Sequence, residues 1–285
     1  MAARRRSAAT LARPAAAGAP RPVQISELEV LGTRLRVAVW PGKRSQPPLL
    51  MFNGIGASLE LLAPFADALV DVEAIAFDVP GTGGSPNSPL PYRLWMLALL
   101  ASRLLTRLGV TEVDVLGVSW GGALAQQFAL QNPRRCRRLV LAATSQGVLM
   151  WPGKLSVLAK FVTPRRHNDA AYRDAIGGEI YGGKARGQRG LLAAARRTTP
   201  RGYLMQQLAI AGWTSLPWLA LLRQPTLVMA GDDDPVIPLV NARLMARLIR
   251  RSRLRVFADG HLFLLSDATE AGRCVREFLS DEQGA

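Results

Sequence analysis

The residues best suited to chemistry in this 285-residue chain form the stretch Gly117-Val118-Ser119-Trp120-Gly121. It follows an apolar β-rich run and opens a helical one, so the G-x-S-x-G spacing describes a strand, a sharp turn and a helix. That turn strains the serine backbone and projects its hydroxyl. Glycine flanks it because strand and helix backbones come too close there for a side chain. The helix N-terminus adds a field that favours developing negative charge. With a base to take its proton, Ser119 is a nucleophile for acyl transfer; an ordinary glycine-rich turn is the alternative.

The chain offers two histidines as base. His261, in Phe257-Ala258-Asp259-Gly260-His261-Leu262, lies just after the last expected strand, where the order serine, acid, histidine requires it. His167, in Arg165-Arg166-His167-Asn168, reads as a solvated surface residue. The third member should orient and charge-stabilise the imidazole. Gly231-Asp232-Asp233-Asp234-Pro235 precedes His261, and its three carboxylates cannot all face one ring. Asp234, furthest into the turn and backed by Pro235, is the expected partner, with Asp232 and Asp233 as turn and cap residues. Asp78 is a rival acid, but it precedes Ser119 and reads as a structural loop residue. Donors for an oxyanion are expected from the backbone N–H of Trp120 and of Ile55, in the loop Asn53-Gly54-Ile55-Gly56. For that loop, a plain strand-to-helix turn is the alternative.

No metal site is expected, because Cys136 and Cys274 form no CxxC and the histidines do not cluster. Gly54-Ile55-Gly56 and Gly81-Thr82-Gly83-Gly84 lack the spacing of a dinucleotide fingerprint or a P-loop, so no cofactor is implied.

Elements able to position these groups alternate along the chain. Strands are expected at 34–40, 49–52, 73–77, 113–118, 138–142, 226–230 and 254–257. Helical spacing occupies 59–70, 92–108, 121–131, 240–250 and 270–279. Nearly continuous apolar strands separated by helices predict an α/β fold, a mostly parallel twisted sheet covered on both faces. The alternation stops near Thr144 and resumes at Pro225. The expected organisation is therefore a disordered arginine-rich tail at 1–22, a sheet core at 23–145, a helical lid insertion at 146–222 and the rest of the core at 223–285.

Charge follows those divisions. The formal net charge is +15, and arginine outnumbers lysine 32 to 4. The tail carries +5 and the insertion +8, while the two core segments are nearly neutral. A basic balance invites a nucleic-acid reading, but no recognisable module or aromatic-interleaved basic groove supports one. What remains is attraction to an anionic surface or the arginine bias of a GC-rich genome, on equal terms. The tail lacks the apolar run of a secretory signal. The uncharged stretch 202–222 is broken by Gln206, Gln207, Thr214, Ser215 and Pro217, too polar to span a bilayer. Two distant cysteines without a signal favour a reducing compartment.

Taken together, the G-x-S-x-G elbow at 117–121, the acid and the histidine resemble an α/β-hydrolase. Further stretches resemble the intracellular medium-chain-length polyhydroxyalkanoate depolymerases. These are Leu50-Met51-Phe52-Asn53-Gly54-Ile55-Gly56-Ala57, Ala76-Phe77-Asp78-Val79-Pro80-Gly81, the elbow continued through Phe128, Gly212-Trp213-Thr214-Ser215, Ala230-Gly231-Asp232-Asp233-Asp234-Pro235, and Asp259-Gly260-His261-Leu262-Phe263-Leu264. The resemblance puts the catalytic residues at Ser119, Asp234 and His261. It implies hydrolysis of a hydrophobic poly(3-hydroxyalkanoate) by a cytoplasmic protein at the surface of polyester granules, with granule-coat proteins or lipids as further partners. Trp213, Trp218 and Met205 in the insertion are expected to line an apolar substrate channel, or else to fasten the insertion to the core. Other readings are a medium-chain carboxylesterase or lipase, a 3-hydroxyacyl transferase on the same fold and, more distantly, a non-catalytic granule protein.

Overall fold

The computed structural model describes residues 20–43, 46–162, 170–188, 190–196 and 198–281. In chain order its regular elements are β1 (Gln24–Val30), β2 (Thr33–Trp40), β3 (Leu49–Phe52), α1 (Ala63–Ala68), β4 (Ala74–Phe77), α2 (Leu94–Arg107), β5 (Val113–Val118), α3 (Trp120–Gln131) and β6 (Cys136–Ala142). Then follow α4 (Leu155–Val162), α5 (Ala170–Tyr181), α6 (Pro200–Ile210), β7 (Thr226–Gly231), α7 (Leu239–Leu248), β8 (Ser252–Phe257), α8 (Phe263–Ser266) and α9 (Ala268–Ser280).

The strands form one eight-stranded sheet in the order β1-β2-β4-β3-β5-β6-β7-β8. β1 and β2 pair antiparallel, as do β2 and β4, and every pair from β4 to β8 is parallel. Parallel strands buried on both faces need unbroken apolar sequence, and Leu49–Phe52 and Ala74–Phe77 are buried at every residue. One face packs against α2, α3 and α7 through residues such as Leu104, Phe128 and Met245. The other packs against α1 and α9 through Phe65, Val275 and Phe278.

Two differences from expectation have local causes. β1 is an edge strand whose residues are mostly exposed or half-buried, so Ser26, Glu27 and Glu29 interrupt any apolar run. Its register with β2 is set by Leu31 and Gly32, whose φ of 49° and 71° make the hairpin turn with two positive φ that matches strand twist. The helix expected over 59–70 divides into a 3-10 turn at Leu59–Leu61 and α1. Pro64 lacks an N–H to continue a helix and fits only its first turn.

Between β6 and β7 the chain builds α4, α5 and α6 with two 3-10 turns. This segment has a small core of its own, Val157, Ile176, Ile180, Tyr181 and Ala185, closed by Val236 from the loop after β7. Residues 1–19 and His167 lie outside the described residues. The chain is engaged before residue 23, however: Arg21 donates to the Ala66 carbonyl at 2.7 Å and the Val72 carbonyl at 2.9 Å. Among the described residues no helix is long and apolar enough to cross a membrane.

Candidate active site

Ser119 sits between β5 and α3 with φ 55° and ψ −119°, a conformation that costs about 1–3 kcal/mol for a residue with a side chain. Its surroundings enforce that geometry. A Cβ at Gly117 would lie 2.2 Å from the Gly121 carbonyl, and one at Gly121 would lie 2.3 Å from the Phe52 carbonyl. The Ser119 N–H donates to the Ala142 carbonyl at 2.9 Å, and the Ser119 carbonyl accepts from the Thr144 hydroxyl at 2.7 Å. The turn is held from β6 as well as by its own strand.

His261 follows β8 and Asp234 follows β7, so the parallel sheet delivers both to the edge where Ser119 stands. His261 Nε2 lies 3.1 Å from Ser119 Oγ, and its Nδ1 lies 2.7 Å from Asp234 Oδ2. Asp234 Oδ1 accepts the Val236 and Ile237 N–H groups, both at 2.9 Å. With the carboxylate fixed, Nδ1–H donates to it and the Nε2 lone pair faces the serine hydroxyl. His261 and Asp234 are both 6% exposed, so little water competes for these bonds. The His261 N–H donates to the Tyr181 carbonyl at 2.7 Å, and the two rings lie nearly parallel at 14°.

The other candidate acids are occupied elsewhere. Asp233 pairs with Arg186 and accepts the Gly183 N–H at 2.8 Å; these bonds, the arginine's first, hold its carboxyl below the usual carboxylate range. Asp232 is exposed. Asp78 is buried, pairs with Arg36 at 3.0 Å and accepts the Leu59 and Gly84 N–H groups at 2.9 Å.

The loop after β3 runs beside the serine, where a Cβ on Gly54 would lie 3.7 Å from Ser119 Cβ. Three amides follow one another in it. Gly54 N–H donates to Asn53 Oδ1 at 2.9 Å and Gly56 N–H to Gln206 Oε1 at 2.7 Å. Among the described residues the Ile55 and Trp120 N–H groups have no protein acceptor, which leaves these two amides for a ligand.

A cavity of about 360 Å³ opens onto Ser119 and His261. Its walls include Leu61, Leu62 and Phe65 from the core, Leu264 and Leu265 beyond the histidine, and Tyr181, Leu192, Arg196, Thr198 and Tyr203 from the segment between β6 and β7. Met205, Trp213 and Trp218 are not among them. The two indoles meet edge to face at 5.8 Å, and all three side chains pack on the sheet's hydrophobic core. Trp213 Nε1–H donates to Gln127 Oε1 at 2.8 Å. Trp213 thus ties the segment to α3, and all three side chains lie against the core, away from the cavity wall. Sequence reading missed Tyr181, Thr198, Tyr203 and Gln206. Of these only Gln206 stood out, and only as a polar break in an apolar stretch. Among the described residues, no cluster of three or more histidine, cysteine or acidic side chains could hold a metal ion.

Residues 47–172 and 192–268 match the model of the alpha/beta hydrolase fold family, leaving 173–191 outside the match. The chain is 48% identical over 269 residues to a poly(3-hydroxyalkanoate) depolymerase of Ectopseudomonas oleovorans, covering 93% of this chain and 95% of that protein. It is 25% identical over 228 residues to 3-oxoadipate enol-lactonase 2 of Acinetobacter baylyi, covering 78% and 84%. A hydrolase structure from Pseudomonas aeruginosa superposes with a TM-score of 0.73 at 28% identity, covering 90% of this chain and 98% of that one. The enol-lactonase of Burkholderia xenovorans gives 0.77 at 22% identity, covering 90% and 100%, a likeness of fold.

Proposed function

The chain belongs to the alpha/beta hydrolase fold family and, within it, to the poly(3-hydroxyalkanoate) depolymerases, and we propose that Ser119, His261 and Asp234 carry out its ester cleavage. One observation carries the reading: a strained serine whose hydroxyl is 3.1 Å from a histidine held 2.7 Å from a buried aspartate. His261 Nε2 takes the Ser119 proton as Oγ attacks a backbone ester carbonyl of the polyester. Ile55 and Trp120 N–H groups stabilise the oxyanion, a contribution of about 2.7–4 kcal/mol per donor. His261 then protonates the departing hydroxyl end of the chain. Water, deprotonated by the same histidine, hydrolyses the acyl-serine and releases a 3-hydroxyacid or oligomer.

The apolar side chains on the cavity wall support a medium-chain substrate, since an alkyl branch gains by leaving water there. In this reading residues 146–222 cover the site while 23–145 and 223–285 supply the reacting groups. Trp151 and Leu155, 68% and 79% exposed in that cover, support contact with a hydrophobic granule. A cytoplasmic setting fits cysteines that are free at both Cys136 and Cys274.

The test compares wild type and Ser119→Ala on emulsified medium-chain polyester, short-chain polyhydroxybutyrate and a soluble octanoate ester. Wild type should favour the first and third, and the folded variant should be inactive on all three. A folded Ser119→Ala protein with full activity would sink the reading.

A further inference from the structure

We infer that Gln206, on α6 of the segment between β6 and β7, is a positioning residue for the oxyanion donors. The inference rests on Ser119 being the nucleophile. Gly54, Ile55, Gly56 and Ala57 form a four-residue turn, closed by the Ala57 N–H donating to the Gly54 carbonyl at 3.1 Å. Gly56 occupies its third position with φ +69°, the arrangement of a type II turn. Types I and II differ by a flip of the central peptide, here the one between Ile55 and Gly56.

That peptide's N–H is taken by Gln206 Oε1 at 2.7 Å. On the other side of Gly56, its carbonyl accepts the Thr198 hydroxyl at 2.7 Å. The Tyr203 ring closes over the same residue, where a Cβ would sit 3.1 Å from it. Gln206 also reaches the second donor, because its main-chain carbonyl accepts the Trp120 indole N–H at 3.0 Å. One residue thus touches both segments whose amides would hold the oxyanion.

The side chain is fully buried, and among the described residues its Nε2 has no partner. Turning the amide over would set NH2 against the Gly56 N–H, donor against donor, so the acceptor must face the loop. A buried unpaired donor costs about 1–3 kcal/mol, which an apolar side chain of the same shape would avoid. A glutamine at this position is therefore explained by what its oxygen holds. Fixed donors need no reorganisation as charge develops, whereas a displacement near 1 Å costs about 100-fold in rate.

The experiment measures kcat and KM on a soluble octanoate ester, together with inhibition by a trifluoromethyl ketone that forms a tetrahedral adduct on serine. Octanoate inhibition reports ground-state binding. Gln206→Leu should lower kcat about 10- to 100-fold, leave KM and octanoate inhibition within about twofold, and weaken the ketone in proportion to kcat/KM. Gln206→Glu, which keeps an acceptor, should recover most of the rate. Thr198→Val should lower kcat in the same manner and Thr198→Ser restore it. A folded Gln206→Leu protein with kcat within twofold of wild type overturns the inference. So does a loss shared equally by kcat, KM and octanoate binding, which would mark mere packing. If Gln206→Leu does not fold, the Thr198 pair and Gln206→Glu decide by the same criteria. Ser119→Ala, run alongside, separates the cases: activity there removes the nucleophile itself, while inactivity there with an unaffected Gln206→Leu removes only the positioning role.

Discussion

Ser119, Asp234 and His261 stand on loops at the ends of β5, β7 and β8, whereas many of the contacts that fix those loops come from the segment between β6 and β7. Its Tyr181 carbonyl holds the His261 N–H, its Lys184 N–H donates to Asp259 beside the histidine, and its Gly183 N–H donates to Asp233 beside the acid. Gln206 and Thr198 hold Gly56 in the loop after β3. In the proposed reading the sheet's loops supply the reacting atoms, and the inserted segment supplies part of their placement. A cover that only shielded the cavity would not need bonds to the loops around it.

The sharpest way to separate the two roles is to damage each at a single residue. On the sheet side, Asp234→Asn keeps the shape of the buried side chain but offers the wrong partner to Nδ1. It should lower kcat about 10⁴-fold with little change in thermal unfolding. Ester-hydrolysis assays with the purified variant check this; a loss under tenfold would mean that the carboxylate is not what orients His261. On the inserted side, Gly183→Ala places a Cβ 1.9 Å from the Gly260 backbone nitrogen at φ +49°. Backbone cannot yield as a flexible side chain can, so the histidine loop must move. A fall of about 100-fold in kcat is expected, together with a lower unfolding midpoint. Unchanged turnover would show that the segment merely rests on the loop.

This division also explains what was legible in the sequence. Buried parallel strands carry apolar runs, so β3 through β7 could be read from the sequence, as could the serine, whose glycines are forced by backbone contact at Gly117 and Gly121; β8, an edge strand with Arg253 and Arg255 exposed, was legible only from Leu254 on. Chain order separated Asp234 from Asp78. The clamps around the histidine and acid were illegible because they use main-chain atoms: the Tyr181 carbonyl and the Lys184 amide would make the same bonds with other side chains, and Gly183, which must be glycine, gives no sign in the sequence of the loop it packs against. The tryptophans left two readings open for the opposite reason. Trp213 and Trp218 have the chemistry of substrate anchors, but aromatic residues serve equally well to cover a sheet, and only three-dimensional position distinguishes the two.

An ion network spans both regions and should reveal itself through pH. Arg36 bridges Asp78 and Glu60, and Glu60 also meets Arg196 of the cavity wall at 2.9 Å. Burial alone would push the Glu60 carboxyl up, but hydrogen bonds from Arg36 and Ser58 outweigh it and hold it below its ordinary value of 4.5. A carboxyl that titrates lower when folded stabilises the protein above its ordinary value and loses that contribution as pH falls through the folded one. Glu60→Gln should therefore cost about 3 kcal/mol near neutrality, the lower end for a broken buried pair because Asp78 still holds Arg36. The loss should shrink below about pH 4.5, as denaturant unfolding across pH would record; a constant difference would disconnect Glu60 from acid stability. Trp213→Leu should be milder, roughly 2 kcal/mol, since leucine refills part of the space. It should affect polymer and soluble-ester hydrolysis alike, and a selective loss on polymer would return the indole to the substrate path.

The smallest expected effect is that of salt on granule attachment, and it decides what the +8 charge of the inserted segment means. Of its described cations, Lys160 pairs with Glu179, Lys184 with Asp267, Arg186 with Asp233 and Arg196 with Glu60, while Lys154 and Arg201 are exposed, the latter donating to the Pro89 carbonyl at 2.7 Å. These four cations, already neutralised within the molecule, attract an anionic coat weakly. Attachment should instead follow apolar surface such as Trp151 and Leu155. In a sedimentation assay with polyester granules, Trp151→Asp should release more protein than raising salt from about 0.01 M to about 1 M, although screening shortens from about 30 Å to about 3 Å over that range. Soluble-ester turnover should be unaffected by either. A tenfold salt effect with no effect of Trp151→Asp would reverse the assignment, making the inserted segment's charge the docking device and its exposed indole incidental.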